Sequence, residues 1–370
     1  MGKVFPPFRI DIAGALYVPF ALRDARRQYQ DGQISRQVLR AVENAEIRNL
    51  AERLKSQGMQ VVTDGGFRSY DFLEGWEGIR CKGGVGSLSG GELEVTGRIS
   101  LLHHSVLDDF VFLAENIAED VLPKQHMPSP GKLLMRILRE TETECLKSIY
   151  PDLNLLLDDL AAAYKNLLEK LYEAGCRYVQ FEGVKSILTD EAARLNNRVL
   201  RERPEGLFVA FHAATDMLIR LHGADAYFLN YDCGICDRSR LLWFVREREA
   251  VFGFVLSYYP DEEELDELQA KMEEVLNYIP VKHLTLCLPD ADNLLNSSEE
   301  DETMENGGTR QRYGSPHILC LNTSLSTHVT VSEYTGWVGG VDLRGCQSKA
   351  LHCEKSMQGF VYIFIGFVLI

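Results

Sequence analysis

Three residues able to move protons stand at the ends of short apolar runs in this chain. Glu182 closes the run RYVQF, His212 closes LFVAFH, and Asp64 follows MQVVT. Burial at such a position raises the pKa of a carboxyl group toward the range of general acid or base catalysis, and histidine titrates near neutral pH. We therefore predict Glu182, His212 and Asp64 as catalytic residues.

Each candidate also has a structural interpretation, which the sequence leaves open. Glu182 could anchor the loop that follows it through hydrogen bonds, and His212 could be a core histidine. Asp64 and Arg68 stand four residues apart, and they could form an ion pair that holds the mouth of a barrel.

Apolar runs of strand length alternate along the chain with amphipathic segments of helical period, which predicts a parallel sheet. Strands are predicted at 8–15, 59–63, 177–181, 207–212, 226–229, 250–256 and 283–286, and helices at 21–54, 106–120, 153–174, 190–201 and 262–278. This many alternations predict an α/β fold, a (β/α)8 TIM barrel, whose active site lies at the C-terminal ends of the strands. The Gly-rich, alternating stretch at 75–105 predicts an inserted β-hairpin.

Polar residues at or near these strand ends are the predicted substrate-binding groups. They are Arg68, Gln180, Ser129, Asn230, Tyr231 and Asp232. For Tyr231 and Asp232 a purely structural role is the alternative.

Composition limits the partners and the compartment. The net charge of −15 argues against a nucleic-acid partner, which would require clustered Lys and Arg. Nine cysteines without framework spacing fit a reduced, cytoplasmic compartment. The apolar run at 360–370 is shorter than the ~20 residues that span a bilayer, so no membrane partner is expected. The expected partner is a small-molecule substrate, and the sequence does not indicate an oligomeric state.

The pattern of strands and helices stops after residue 292. Residues 1–292 are predicted as the barrel, residues 293–310 as an acidic linker, and residues 311–370 as an irregular tail.

Several motifs together resemble the catalytic barrel of cobalamin-independent methionine synthase, within the uroporphyrinogen decarboxylase/methionine synthase-like superfamily. They are VVTDGGFRS, HMPSP, YPDLNLLLDDLAAAYKNLLEKLYEAGCRYVQFEG, YFLNYD, VFGFVLS and KHLTLCLP, in the order of the short, single-barrel relatives and over residues 5–292. The resemblance implies a (β/α)8 barrel and a zinc ion that activates a thiol as methyl acceptor.

The ligands that the resemblance implies for zinc are mostly replaced. His212 is kept, whereas the other three positions hold Ala214, Asn230 and, within about a residue, Asp290. No cofactor is therefore predicted. A rebuilt zinc site of His212, Cys233, Cys236 and Asp290 remains an alternative, since Cys-x-x-C is a spacing that metals accept. Two small loop residues are the simpler interpretation of these cysteines.

Substrate positions that the resemblance implies are altered as well. Gly66 stands where the family has a Glu, Glu182-Gly183 replaces an Asp-Glu pair, and Gly14-Ala15 replaces Gly-Ser. These changes fall on strand ends, and the helical scaffold is kept.

Three functions follow from this pattern. The first is a divergent enzyme acting on a small organic molecule, as in specialised metabolism, by alkyl-transfer or acid–base (lyase or isomerase) chemistry and without methionine-synthase activity. The second is a zinc-dependent methyltransferase to a thiol, with a rebuilt metal site. The third is a non-catalytic descendant that binds a ligand or partner.

Overall fold

A computed structural model of the chain describes residues 6–68, 72–73, 75–82, 92–183, 189–213, 218–230, 238–256 and 265–288. The described residues fall into two compact units. The first comprises residues 6–256 together with 281–288, and the second comprises residues 265–280.

Parallel strands form the centre of the first unit. They are β1 (Ile10–Ile12), β2 (Val61–Val62), β5 (Leu122–Pro123), β6 (Gln125–Pro128), β7 (Tyr178–Glu182), β8 (Phe208–His212), β9 (Ala226–Asn230), β10 (Val251–Val255) and β11 (Leu284–Leu288), and the hairpin described below supplies β3 (Trp76–Lys82) and β4 (Glu92–Leu101). Only Lys124 separates β5 from β6, and its N–H continues the ladder to the carbonyl of Val62 at 2.8 Å. These two strands therefore act as one.

The sheet is curled, as the order and pairing of its strands show. Seven strands pair in the order β1-β11-β10-β9-β8-β7-β6, and β2 pairs with β5. All of these pairs are parallel. Beyond β1 and β2, the N–H of Leu16 donates to the carbonyl of Gly65 at 2.9 Å, so the two ends of the sheet approach each other. In the described part of the chain this makes eight parallel strand positions, and the predicted TIM-barrel fold class is confirmed.

Helices lie between the strands along the chain, and five of those described begin at a side chain that accepts a backbone N–H. They are α1 (Phe20–Gln30), α2 (Arg36–Ser56), α3 (Ser105–Glu115), α4 (Pro130–Glu140), α5 (Thr143–Ile149), α6 (Leu153–Glu173), α7 (Asp190–Glu202), α8 (Arg238–Glu247) and α9 (Leu265–Leu276). The single helical region predicted at 21–54 is two helices, because Gly32 adopts a φ of +70° and the Ser35 side chain accepts the N–H of Val38 to begin α2.

Helix α6 shows why the long segment at 153–174 was recognisable. Leu160, Tyr164, Leu167 and Leu171 recur at helical spacing, and all four are fully buried. Asp152 begins the helix by accepting the N–H of Asn154. The apolar side of α6 therefore packs into the interior.

The predicted insertion is an antiparallel hairpin of β3 and β4. Leu93, Val95 and Ile99 alternate with polar residues and are buried. The register shifts at Gly78, whose φ is +75° and where an added Cβ would lie 2.4 Å from the carbonyl oxygen of Arg98. Only glycine fits this bulge without movement of the backbone.

A buried polar cluster fills the interior of the curled sheet. Lys124 donates to Asp11 Oδ1 at 2.5 Å, to the carbonyl of Ile12 at 2.5 Å and to Gln180 Oε1 at 2.9 Å. Tyr178 donates its hydroxyl to Asp11 Oδ2 at 2.5 Å. Because Asp11 lies on β1 and Lys124 lies between β5 and β6, this cluster joins strands from opposite ends of the seven-stranded order.

The second unit contains α9, which buries Leu268, Met272, Val275 and Leu276 along one side. The predicted linker at 293–310 and tail at 311–370 lie outside the described residues, so the predicted domain division stays a prediction. None of the described helices combines the length and the apolar character needed to cross a membrane.

Candidate functional site

Backbone pairing brings Glu182 and His212 together at the ends of neighbouring strands. Glu182 pairs with Pro128 of β6 on one side and with His212 of β8 on the other. The carbonyl of Glu182 accepts the N–H of Ser129 at 2.8 Å, and the carbonyl of His212 accepts the N–H of Gly183 at 2.8 Å. Strand pairing thus continues through both predicted catalytic residues.

Alternation along β7 turns Glu182 toward the interior of the sheet. Phe181 packs on the helical side, with its ring centroid 6.2 Å from that of Tyr164 in α6. Gln180 faces the opposite way and reaches Lys124. Glu182, two residues after Gln180, shares that inner side because side chains in a strand alternate.

Lys132 of α4 is the partner of Glu182, at 2.8 Å between Nζ and Oε2. Burial alone raises the pKa of Glu182, but the charges of Lys132, His126 and His212 and the hydrogen bond from Lys132 outweigh it and lower the pKa to about 2. The expectation of a raised pKa is wrong. A fixed carboxylate at this position is a source of negative charge and not a proton donor.

His126 on β6 joins this group, and its role was missed at the sequence level. It pairs with Gln180 in register and stands two residues before Pro128, on the same side of the strand. Burial, together with the charges of Lys124, Lys132 and His212, lowers the pKa of His126 to about 4 against the opposing charge of Glu182, so the imidazole is neutral at neutral pH. Its Nε2 is buried and has no hydrogen-bond partner among the described residues. The alternation of Lys124, His126 and Pro128 along one side of the strand is the sequence signal that could have indicated it.

Asp64 lies in a tight turn after β2. Its Oδ1 accepts the N–H of Gly66 at 2.9 Å, and both Gly65 and Gly66 adopt a φ of +69°. Burial and the charge of Asp109 raise the pKa of Asp64 to about 6, against the opposing effects of the Gly66 hydrogen bond and of Arg68. Asp64 is therefore a carboxyl group whose pKa is suited to proton transfer near neutral pH.

Arg68 is committed to a buried ion-pair network. It lies 3.0 Å from Asp109 and 3.5 Å from Glu43, it also bonds to Asn44, and its side chain is 1% exposed. The structure therefore places the side chain of this predicted substrate-binding residue between helices α2 and α3. The charge of Arg68 opposes the rise in the pKa of Asp64.

The other predicted substrate residues are distributed between interior and helix cap. Gln180 is fully buried, accepting from Lys124 and donating to the carbonyl of Ala13. Ser129 is fully buried and caps α4 through its hydroxyl, which accepts the N–H of Lys132 at 3.1 Å. Asn230 ends β9. Tyr231 and Asp232 lie outside the described residues.

Comparison with known proteins agrees with this architecture. No protein-family model matches the chain. It is 29% identical over 331 residues to the uncharacterised protein YxjG of Bacillus subtilis (strain 168), and 28% identical over 330 residues to YxjH of the same organism. Each match covers 76% of this chain and 86% of the relative.

Solved structures extend the comparison. One, described as a putative vitamin-B12-independent methionine synthase from Listeria monocytogenes, matches with a TM-score of 0.64 and 26% identity over 80% of this chain and 94% of that chain. The structural neighbours are cobalamin-independent methionine synthase-like barrels. A B12-independent methionine synthase from Shewanella sp. W3-18-1, in complex with selenomethionine, shares the fold with a TM-score of 0.55 and 14% identity over 76% of this chain and 90% of that chain. The predicted resemblance is confirmed.

The described residues include only one of the side chains that a methionine synthase-like zinc site would use. No group of three or more His, Cys, Asp or Glu side chains is arranged for a metal within the ranges that the structure covers. His212 is the one implied ligand whose side chain the structure describes. Ala214, Cys233, Cys236 and Asp290 lie outside those ranges, so the rebuilt set remains a prediction.

The turn after β2 shows a physical reason for one departure from the methionine synthase-like pattern. At Gly66 an added Cβ would lie 2.9 Å from the Cβ of Ala15, in a left-handed backbone conformation. A glutamate at this position would require both the turn and its contact with Ala15 to change. This turn is therefore built for glycine.

Proposed function

We propose that the chain is a divergent enzyme on a methyltransferase-type barrel, which acts on a small organic molecule and has lost the methionine-synthase reaction. The observation that carries this proposal is the row of Glu182 and His212, with His126 and Lys132 beside it, at the C-terminal end of the strands. That end is where barrels of this kind place their chemistry. We also expect a cytoplasmic protein and a role in specialised metabolism.

The titrating groups divide the chemical work between them. Asp64, with a pKa of about 6, exchanges a proton with the substrate near neutral pH. Glu182, with a pKa of about 2, stays ionised and stabilises positive charge. The imidazole of His126 is neutral and can accept or donate a hydrogen bond, and His212 is the second imidazole at the site. This set supports proton transfer or alkyl-group chemistry on a bound molecule.

Two measurements test the loss of the methionine-synthase reaction. The purified protein is analysed for zinc and assayed for methyl transfer from methyltetrahydrofolate to homocysteine. We expect less than ~0.1 zinc per chain, where a site with three protein ligands would approach one, and no methionine. One zinc per chain together with methyl transfer to a thiol would instead establish the rebuilt zinc methyltransferase.

Catalysis itself is tested with a metabolite extract, followed by mass spectrometry for compounds consumed or formed. D64N and H212A should abolish the change that the wild-type protein produces, and E182Q should slow it by about tenfold or more. K165Q alters an exposed lysine of α6 and serves as the matched control. If the wild type changes no compound, the chain is a non-catalytic binding protein. If D64N, H212A and E182Q all change the same compounds at the wild-type rate, these three residues do not carry the reaction and the proposed site is wrong.

A further inference from the structure

Lys132 stands where helix electrostatics disfavour it. Pro130 is the first residue of α4, so Lys132 lies in the first turn, where the helix dipole presents its positive end. A cation at this position is unfavourable unless something else holds it there. A residue that violates a local rule within a cluster of titrating groups is a candidate for function.

Glu182 alone does not exhaust the donors of Lys132. Among the described residues, Glu182 is the carboxylate that pairs with it, and an ammonium has three N–H donors. The side chain of Lys132 is 35% exposed, and that of Glu182 is 27% exposed. Lys132 can therefore reach a second acceptor without leaving the first.

Backbone amides of α4 do not compete for that acceptor. Pro130 has no N–H, the N–H of Gly131 donates to Asn196 at 2.7 Å, and the N–H of Lys132 donates to Ser129 at 3.1 Å. An anion at this position would therefore be held by side chains. The dipole of α4 would add to their attraction.

His126 can supply a second donor beside Lys132, in the tautomer that carries its proton on Nε2. Its Nε2 is buried and unpartnered within the described ranges, and its charge interaction with Lys132 and Glu182 places it in their group. A buried nitrogen without a partner costs free energy until a ligand or water satisfies it. Lys132 and His126 thus provide an ammonium and an imidazole for an anion. The one carboxylate among these groups, Glu182, is already paired with Lys132.

We propose that Lys132 and His126 bind a small oxyanion, a carboxylate or phosphate group carried by the substrate, while Glu182 holds Lys132 in place. A cationic substrate group would have to displace Lys132 from the carboxylate, whereas an anionic group adds to the ion pair. This inference rests on the proposed function for its location, but oxyanion binding can be measured without turnover.

Calorimetric titration of the full chain with inorganic phosphate, and separately with acetate, tests the inference. We expect the wild type to bind at least one of the two anions. The anion that binds with the higher affinity identifies the substrate group as a phosphate or a carboxylate. K132Q should weaken that binding about tenfold or more, K132R should retain most of it, and H126A should weaken it several-fold. K165Q, on the exposed surface of α6, should bind as the wild type does.

E182Q tests how the charge of Glu182 affects oxyanion binding at Lys132. Removing the carboxylate leaves Lys132 free of its partner and removes a repelling charge, so binding should tighten by about threefold or more. Equal affinity in the wild type and K132Q, or absence of binding of both probes by the wild type, would overturn the inference. Loss of binding with metabolite turnover intact would leave the proposed enzyme standing, and the reverse result would leave the oxyanion site standing.

Discussion

Asp64 and Glu182 are both carboxyl groups at strand ends, yet their environments drive their pKa values apart. Burial and the charge of Asp109 raise the pKa of Asp64 to about 6. For Glu182, the Lys132 ammonium and the imidazoles of His126 and His212 overcome burial and lower the pKa to about 2. Partner charge, and not position in the strand, decides which carboxyl group can carry a proton.

D64N tests this assignment through stability. Because the folded protein keeps the Asp64 proton up to about pH 6, and an unfolded aspartate loses it near pH 4, the wild type loses stability as pH rises through this window. Relative to D64N, the wild type should lose as much as ~3 kcal/mol of unfolding free energy across this window, because the folded and unfolded pKa values of Asp64 differ by about two.

Urea unfolding of the wild type and D64N at pH 4 and pH 7 measures the difference. Subtracting the unfolding free energy of D64N from that of the wild type at each pH cancels the contributions of other titrating groups. One of these is His104, whose pKa is lowered by burial to about 4. D120N is the control, since the hydrogen bond from Lys55 lowers the pKa of Asp120 and gives the opposite sign. A wild-type-minus-D64N difference independent of pH would contradict the raised pKa.

A double-mutant cycle on Glu182 and Lys132 tests their pairing. Both side chains are partly exposed, so the coupling should be modest, about 1 kcal/mol, and weaker at high salt. The free energies of unfolding of E182Q, K132Q and the double variant give this coupling. Additive single effects would show that the 2.8 Å contact contributes nothing to stability.

At the residue scale, the sequence located carboxyl and imidazole groups but not their charges. The catalytic candidates Glu182 and His212 do stand together at adjacent strand ends. The pKa of Glu182 was predicted in the wrong direction, because Lys132 lies fifty positions away in sequence and meets it only through the fold. Arg68 could not be assigned either, since its partners Asp109 and Glu43 come from two different helices.

At the element scale, the hairpin of β3 and β4 is held to α6 by a polar anchor. The hydroxyl of Tyr150 accepts the N–H of Ile99 at 2.6 Å and donates to Asp159 at 2.8 Å, and Arg98 also bonds to Asp159 at 2.7 Å. Burial and the bond to Asp159 raise the pKa of Tyr150 to about 12, so the hydroxyl stays protonated at neutral pH.

Y150F should loosen this hairpin selectively. Ile99 would lose a buried acceptor, which costs about 1–3 kcal/mol. Hydrogen exchange should therefore accelerate across β4 while α6 amides remain protected. Y17F, which changes an exposed tyrosine, is the control. Unchanged exchange in β4 would show that the apolar side of the hairpin suffices to hold it.

A helix or strand could be predicted from the sequence where the spacing of its own apolar residues determines it. The buried period of α6 predicted that helix nearly at its observed bounds, and the alternation at 75–105 predicted the hairpin that contains β3 and β4. Strand ends shifted by one to three residues, as at β1, because strand bounds depend on hydrogen bonding to β11, a partner distant in sequence. The break between α1 and α2 was missed because a helical period continues on both sides of Gly32.

At the scale of the whole molecule, a buried charge pair joins the two ends of the seven-stranded order. Lys124 and Asp11 are essentially unexposed and 2.5 Å apart, and Tyr178 and Gln180 complete their hydrogen bonds. The fold class could be predicted from the alternation of strand and helix patterns along the sequence. The buried cluster could not be predicted, since Asp11 and Lys124 are isolated charged residues in the sequence.

K124M tests whether this pair closes the barrel. Removing the ammonium leaves the Asp11 carboxylate buried and unpaired, which costs about 3–5 kcal/mol, whereas D11N/K124M removes both charges and should recover part of that loss. K165M, at an exposed lysine of α6 that lies 3.8 Å from Glu169, should cost under ~0.5 kcal/mol.

Urea unfolding measures the three free energies of unfolding. Hydrogen exchange should show β1 losing protection before β8, because Lys124 also binds the carbonyl of Ile12. A K124M variant within ~1 kcal/mol of the wild type would mean that strand pairing and apolar packing close the sheet without the ion pair.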